Sequence, residues 1–151
     1  MATSVTVAAP ARVNVPALVF RLGNEVRTIF DRRVTRFDLT MQQAGLLLHC
    51  TDPMTPAQIA PILGTDTAGM TRLADRLEGR GLVRRRRNPD DRRSILLEPT
   101  PAAKAIIPEL RRIFRATARE LVGDLSPSEQ ELLGGLLRRV AANARAASDH
   151  I

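Results

Sequence analysis

The segment LGTDTAGMTRLADRLEGRGLVRRRRNPDDRR, residues 63–93, decides the reading of this 151-residue chain. Gly64 supplies a left-handed turn cheaply, Thr65 and Asp66 are capping residues, and Met70, Leu73, Ala74 and Leu77 follow at helical spacing. A helix is therefore predicted from Thr65 or Asp66 to residue 80, stopping at Gly81. The pattern then changes to Leu82-Val83, four Arg, the turn residues Asn88-Pro89-Asp90-Asp91, and Ser94-Ile95-Leu96-Leu97, which predicts a short hairpin ended by Pro99. Upstream, Thr55, Pro56 and Gln58 mark the start of a helix predicted over 56–63 with Ile59, Ile62 and Leu63 inward, joined to the next by a Gly-containing turn of three residues or fewer. Helix, tight turn, helix and basic hairpin make a winged helix-turn-helix, the arrangement that lays its second helix in the DNA major groove.

Capping chemistry organises the rest of the chain. Thr40 and Ser126 stand three residues before Gln43 and Glu129, the reciprocal capping-box spacing, and Thr100-Pro101 repeats the cap-plus-proline signal. Helices are predicted over 15–37 after Asn14, over 41–49 with Leu46, Leu47 and Leu48 as core, over 101–122 and over 127–147. Pro108 inside the helix over 101–122 predicts a kink or a late start. The expected class is mainly α: a single domain with a winged helix-turn-helix over 40–99, N- and C-terminal helices over 14–37 and 101–148 that carry more apolar surface than a winged domain needs, and a disordered tail over 1–13.

Composition excludes several classes. At 44% hydrophobic and 26% charged, the chain can bury a core. Trp and Tyr are absent and only four Phe are present, so bases cannot be read by aromatic stacking. One cysteine makes no intramolecular disulfide and no Cys-rich zinc site, and no run reaches the ~18 apolar residues of a membrane helix. No phosphate-binding Gly loop is present, and Asp90 and Asp91, beside Arg and Pro, are turn and ion-pairing groups, not a catalytic pair. With no charge before Arg12 to make a secretory n-region, a reduced, soluble, cytoplasmic protein without cofactor, metal or enzymatic activity is expected. The net charge is +7, and between Arg72 and Arg93 nine Arg face only Asp75, Glu78, Asp90 and Asp91, so most of the excess lies in 22 residues. That concentration points to a polyanion, and without an amphipathic anchor nucleic acid is favoured over a membrane.

The residues expected at the DNA are those left outward when Met70, Leu73, Ala74 and Leu77 face the core: Thr67, Ala68, Gly69, Thr71, Arg72 and Arg76, with Arg85, Arg86, Arg87, Asp91, Arg92 and Arg93 on the hairpin. Arg72 can fork onto a guanine edge, whereas Arg85 and Arg86 suit phosphates. Leu63 to Asp66, Met70 to Glu78, Gly81-Leu82-Val83 and Asn88 to Arg93 together resemble the MarR family of transcriptional regulators, over most of the chain in order and length. The resemblance implies that Asp91 braces Arg93 for the minor groove and that the terminal helices dimerise. It also implies a repressor on a pseudo-palindromic operator, released by a small aromatic or anionic effector held in a cleft between the dimer helices and the winged domain. Arg21 and His49 are the candidate anchors for that effector; a solvated helix residue and a C-terminal capping side chain are their plainer readings. Two departures are visible: Ala103 stands where a glycine is usual, and Ala68-Gly69 where hydroxyl residues are frequent. Two rivals remain: a winged-helix protein-interaction module that leaves DNA alone, and a redox-sensing regulator using the thiol of Cys50.

Overall fold

The computed structural model describes residues 13–148; the predicted tail over 1–12 lies outside them, and Val13, its last predicted residue, is exposed. Six helices and one hairpin follow in the order α1 (Val15–Val34), α2 (Met41–His49), α3 (Pro56–Ile59), α4 (Thr67–Gly79), β1 (Val83–Arg87), β2 (Ile95–Pro99), α5 (Pro101–Leu121) and α6 (Pro127–Ser148). The starts are set by local chemistry. Asn14 Oδ1 accepts from the Ala17 amide, Thr40 and Thr55 form complete capping boxes with Gln43 and Gln58, and the Thr100 hydroxyl accepts from Ala103 N. Ser126 and Glu129 exchange backbone and side-chain bonds in the same way. Each such cap satisfies donors that a helix start otherwise leaves orphaned, typically worth ~1 kcal/mol.

The core joins α2, α3, α4, the hairpin and the first half of α5. Leu46, Leu47, Ile59, Leu77, Leu97 and Leu110 are fully buried at its centre. The strands pair antiparallel with Val83 opposite Pro99 and Arg85 opposite Leu97. Leu97 also donates its amide to Met54 O at 2.9 Å, an isolated bridge that ties the loop before α3 to the hairpin. Phe30 of α1 meets Phe114 of α5 with ring centroids 4.5 Å apart, and the buried Thr117 hydroxyl accepts from Arg33 at 2.7 Å and donates to Ile113 O.

Four expectations need correction. The first helix ends at Val34, and a 3-10 turn carries the chain through Thr35–Phe37 to Asp38 at φ 55°. Arg80 of the α4 C-cap donates to the carbonyls of Phe37 and Asp38, satisfying acceptors that such an end leaves free. The third helix stops at Ile59, not at residue 63, because Pro61 has no amide hydrogen for the carbonyl four residues back. The connection to α4 is consequently residues 60–66, longer than predicted, although Gly64 does take the left-handed conformation at φ 63°. Ile62, expected inward, is half exposed there. Of the kink and the late start offered as alternatives for Pro108, the late start does not occur, since α5 runs from Pro101 through Pro108.

The terminal helices are only partly used by their own chain. α1 buries Phe30 and Val34 alone, and α6 buries nothing. Leu18, Leu22, Leu132, Leu133, Leu136, Leu137 and Val140 are all exposed, Leu132 by 64%. No helix among the described residues is long and apolar enough to cross a membrane.

Candidate nucleic-acid interface

α4 is aimed by its inner face. Met70, Leu73, Ala74 and Leu77 are buried, which leaves Thr67, Ala68, Thr71, Arg72 and Arg76 exposed on the opposite side. Gly69 departs from that group: it is half-buried under its own helix start, its amide donating to the Asp66 carboxylate at 2.6 Å. A Cβ at this position would collide with Thr65 Oγ1 and lie 2.9 Å from Asp66 Oδ1. The missing side chain of Gly69 thus makes room for the cap, which is a sufficient reason for glycine without any contact to a ligand.

The hairpin sorts its arginines by strand alternation. Arg84 and Arg86 fall on one side and share Glu98, at 3.1 and 2.5 Å. Their guanidinium groups, Arg86 first, hold the Glu98 carboxyl below its ordinary range. Arg85 turns the other way and donates to Asp75 at 2.5 Å and to Glu78, both on α4. These bonds, that to Asp75 foremost, push its pKa further up. The expectation that Arg85 and Arg86 are free phosphate contacts is therefore corrected for Arg85, whose donors are engaged within the chain, and weakened for Arg86. Arg72, Arg76, Arg87, Arg92 and Arg93 have no side-chain partner among the described residues. Arg80, which contributes to the sequence excess, pairs with Asp38 at 3.4 Å.

The tip of the hairpin is held by short-range bonds. Asn88 N donates to Ser94 O at 3.1 Å, Asn88 Oδ1 accepts from Asp90 N, and Ser94 N donates to Asp91 O at 3.0 Å. The Asp91 carboxylate accepts the Arg93 amide at 3.0 Å, an Asx-type turn, and makes no ion pair with the Arg93 guanidinium. The Arg93 side chain is left exposed. Between this tip, α3 and α4 opens a cleft of about 540 Å³ whose walls include Pro56, Thr67, Thr71, Asp91, Arg93 and Ile95. α4 and the hairpin tip thus frame one concave surface that carries Thr67, Thr71 and the exposed Arg93.

The remaining candidates stand apart from it. Arg21 and His49 are exposed, on α1 and at the end of α2, and neither lines this cleft. Cys50 is fully buried, its thiol directed to Leu47 O, and burial pushes its pKa up to about 12. A redox sensor needs an accessible thiolate, so Cys50 is a small core hydrophobe and the thiol-sensing alternative loses its residue. Among the described residues no cluster of His, Cys, Asp and Glu could hold a metal ion. Reading the sequence missed Asp75, Glu78 and Glu98 as partners of the basic run. A signal was present in the two acids three residues apart on an otherwise basic helix.

Comparison with known proteins agrees with this geometry. The MarR family model matches residues 39–95. The multiple antibiotic resistance protein MarR of Salmonella typhimurium is 27% identical over 126 residues, which cover 82% of this chain and 88% of the relative. Among solved structures, a mutant MarR from E. coli complexed with operator DNA superposes with a TM-score of 0.73 at 26% identity, over 85% of this chain and 94% of that one. The transcriptional regulator SlyA gives a TM-score of 0.78 over 87% of this chain and 94% of its own, with 20% identity, a likeness of fold.

Proposed function

We propose that this chain, which belongs to the MarR family, is a homodimeric transcriptional regulator that binds a pseudo-palindromic operator through α4 and the wing and works in the cytoplasm. The observation that carries the proposal is a set of arginines without a side-chain partner among the described residues: Arg72 and Arg76 on the exposed face of α4, and Arg87, Arg92 and Arg93 at the end of the hairpin. Arg72 reads a base edge from the major groove, Arg93 enters the minor groove, and the others grip phosphates. Thr67, Ala68 and Thr71 complete the groove-facing surface. Selection from a randomised duplex pool, followed by titration of the selected duplex over a salt series, tests this. Sequence-specific binding that weakens steeply with salt is expected. Salt-insensitive binding, or no enrichment of any sequence, refutes it and favours a protein-interaction module. Arg72→Ala is expected to relax the consensus at one position in each half-site.

Dimerisation is supported by the apolar faces of α1 and α6 that the chain leaves uncovered, and residues 14–37 and 101–148 form the dimer region in this reading. A two-fold dimer sets two recognition helices one DNA turn apart, ~34 Å. Sedimentation of Leu133→Glu/Leu137→Glu should give a monomer that retains helix content; an unchanged dimer removes α6 from the interface. Repression relieved by a small aromatic or anionic acid is supported by family likeness, with Arg21 and His49 as the anchors. Calorimetry with salicylate on the parent, Arg21→Ala and His49→Ala decides that part, since identical binding by all three refutes the anchors.

A further inference from the structure

Arg85 is set apart from the other wing arginines by where it points. It lies two residues beyond Val83, which is buried at the base of the hairpin, and it turns toward α4. Asp75 and Glu78 are one helical turn apart on α4 and so share a face, which lets one guanidinium fork reach both carboxylates. The Arg85 side chain is 28% exposed, less than either carboxylate partner. Asp75 and Glu78 are also the two acids of α4, and Asp75 stands one helical turn from Arg72 on the exposed side of the helix.

We propose that Arg85 is a positioning residue that clamps the wing to the recognition helix through Asp75 and Glu78, and that it makes no contact of its own with DNA. The clamp has two effects. It fixes the separation of wing and recognition helix, so that minor-groove and major-groove contacts are made together without ordering the hairpin at the moment of binding. It also neutralises two carboxylates that would otherwise repel phosphates next to Arg72 and Arg76. Glu98 does the corresponding work on the other side of β1, holding Arg84 and Arg86 along the strand. The inference rests on the DNA-binding reading for its function but not for its structural content.

The test compares the parent with Arg85→Ala, with Asp75→Asn/Glu78→Gln and with all three changes combined. Amide exchange is measured in the free protein, and binding is measured to the duplex that the parent selects and to a scrambled duplex over a salt series. The clamp predicts that exchange of the Asn88 amide, which bonds across the hairpin, rises about fivefold in Arg85→Ala and in the carboxylate variant alike, with no further rise in the combination. It also predicts that preference for the selected over the scrambled duplex falls about fivefold in both. The salt slope stays at the parent value in Arg85→Ala. A phosphate contact predicts the opposite: parent-like exchange in Arg85→Ala, a salt slope lower by about one, and tighter binding to both duplexes when only the carboxylates are removed. That pattern overturns the clamp. Should the parent bind no duplex, the DNA-binding reading fails, and the exchange data still decide whether Arg85 holds the wing.

Discussion

Asp91 offers a sharp test of how the wing arginine is held. Its carboxylate lies 3.0 Å from the Arg93 amide and pairs with no guanidinium. Asn at 91 keeps an Oδ1 acceptor in the same place, whereas Ala removes it, and both substitutions delete one negative charge near the DNA. The difference between Asp91→Asn and Asp91→Ala therefore isolates the turn from the charge. A hydrogen bond of this kind contributes a net ~0.5–1.5 kcal/mol, so Asp91→Ala is expected to bind the selected duplex about two- to thirteenfold more weakly than Asp91→Asn. Asp91→Asn should match or slightly exceed the parent, and the salt slope should be the same for both variants. Electrophoretic or anisotropy titration at physiological salt reads the ratio directly. Equal affinities for Asn and Ala, both well below the parent, would show that Asp91 acts through its charge on the Arg93 guanidinium and would refute the backbone account.

Three further outcomes follow from the packing. Leu97→Ala removes a fully buried side chain that joins the hairpin to the core and should cost about 2–5 kcal/mol in urea unfolding; a loss under 1 kcal/mol would show that the hairpin is not part of the cooperative unit. Cys50, with its thiol raised to about 12, should resist alkylation at pH 8, where roughly one thiol in ten thousand is ionised, and react readily once the protein is unfolded; rapid labelling of the native protein would contradict its burial. Glu109, held at about 2 by hydrogen bonds from Arg112 and then Arg36, stabilises the fold above its ordinary value near 4.5, and the contribution fades as pH falls from 4.5 toward 2. The stability difference between parent and Glu109→Gln should shrink over that window, and a difference constant from pH 6 to pH 2 would disconnect it from the Arg36 pair.

The sequence by itself determined where most elements begin, because capping is chemistry between residues three apart. Asn14, Thr40, Thr55, Asp66, Thr100 and Ser126 each act on an amide that the chain brings near as soon as one turn forms. The inward face of α4 was legible for the same reason, since periodicity places Met70, Leu73, Ala74 and Leu77 on one side. Pro61 was equally local and marks the true end of α3, although the apolar spacing of Ile59, Ile62 and Leu63 pointed past it.

What only the tertiary structure decided is which charges remain available. Arg85 and Arg93 look alike in sequence, yet one is engaged by carboxylates seven and ten residues away and the other is exposed. Arg80 closes the 3-10 turn after α1 from 42 residues downstream, and Arg33 finds Glu120 across 87. Such pairs depend on how the elements pack and not on spacing along the chain, so a run of like charges shows that a polyanion fits without showing which arginines meet it. The apolar stripe of α6 carries the same lesson: periodicity says that a face wants cover, and only the packed chain reveals that its own core does not supply it.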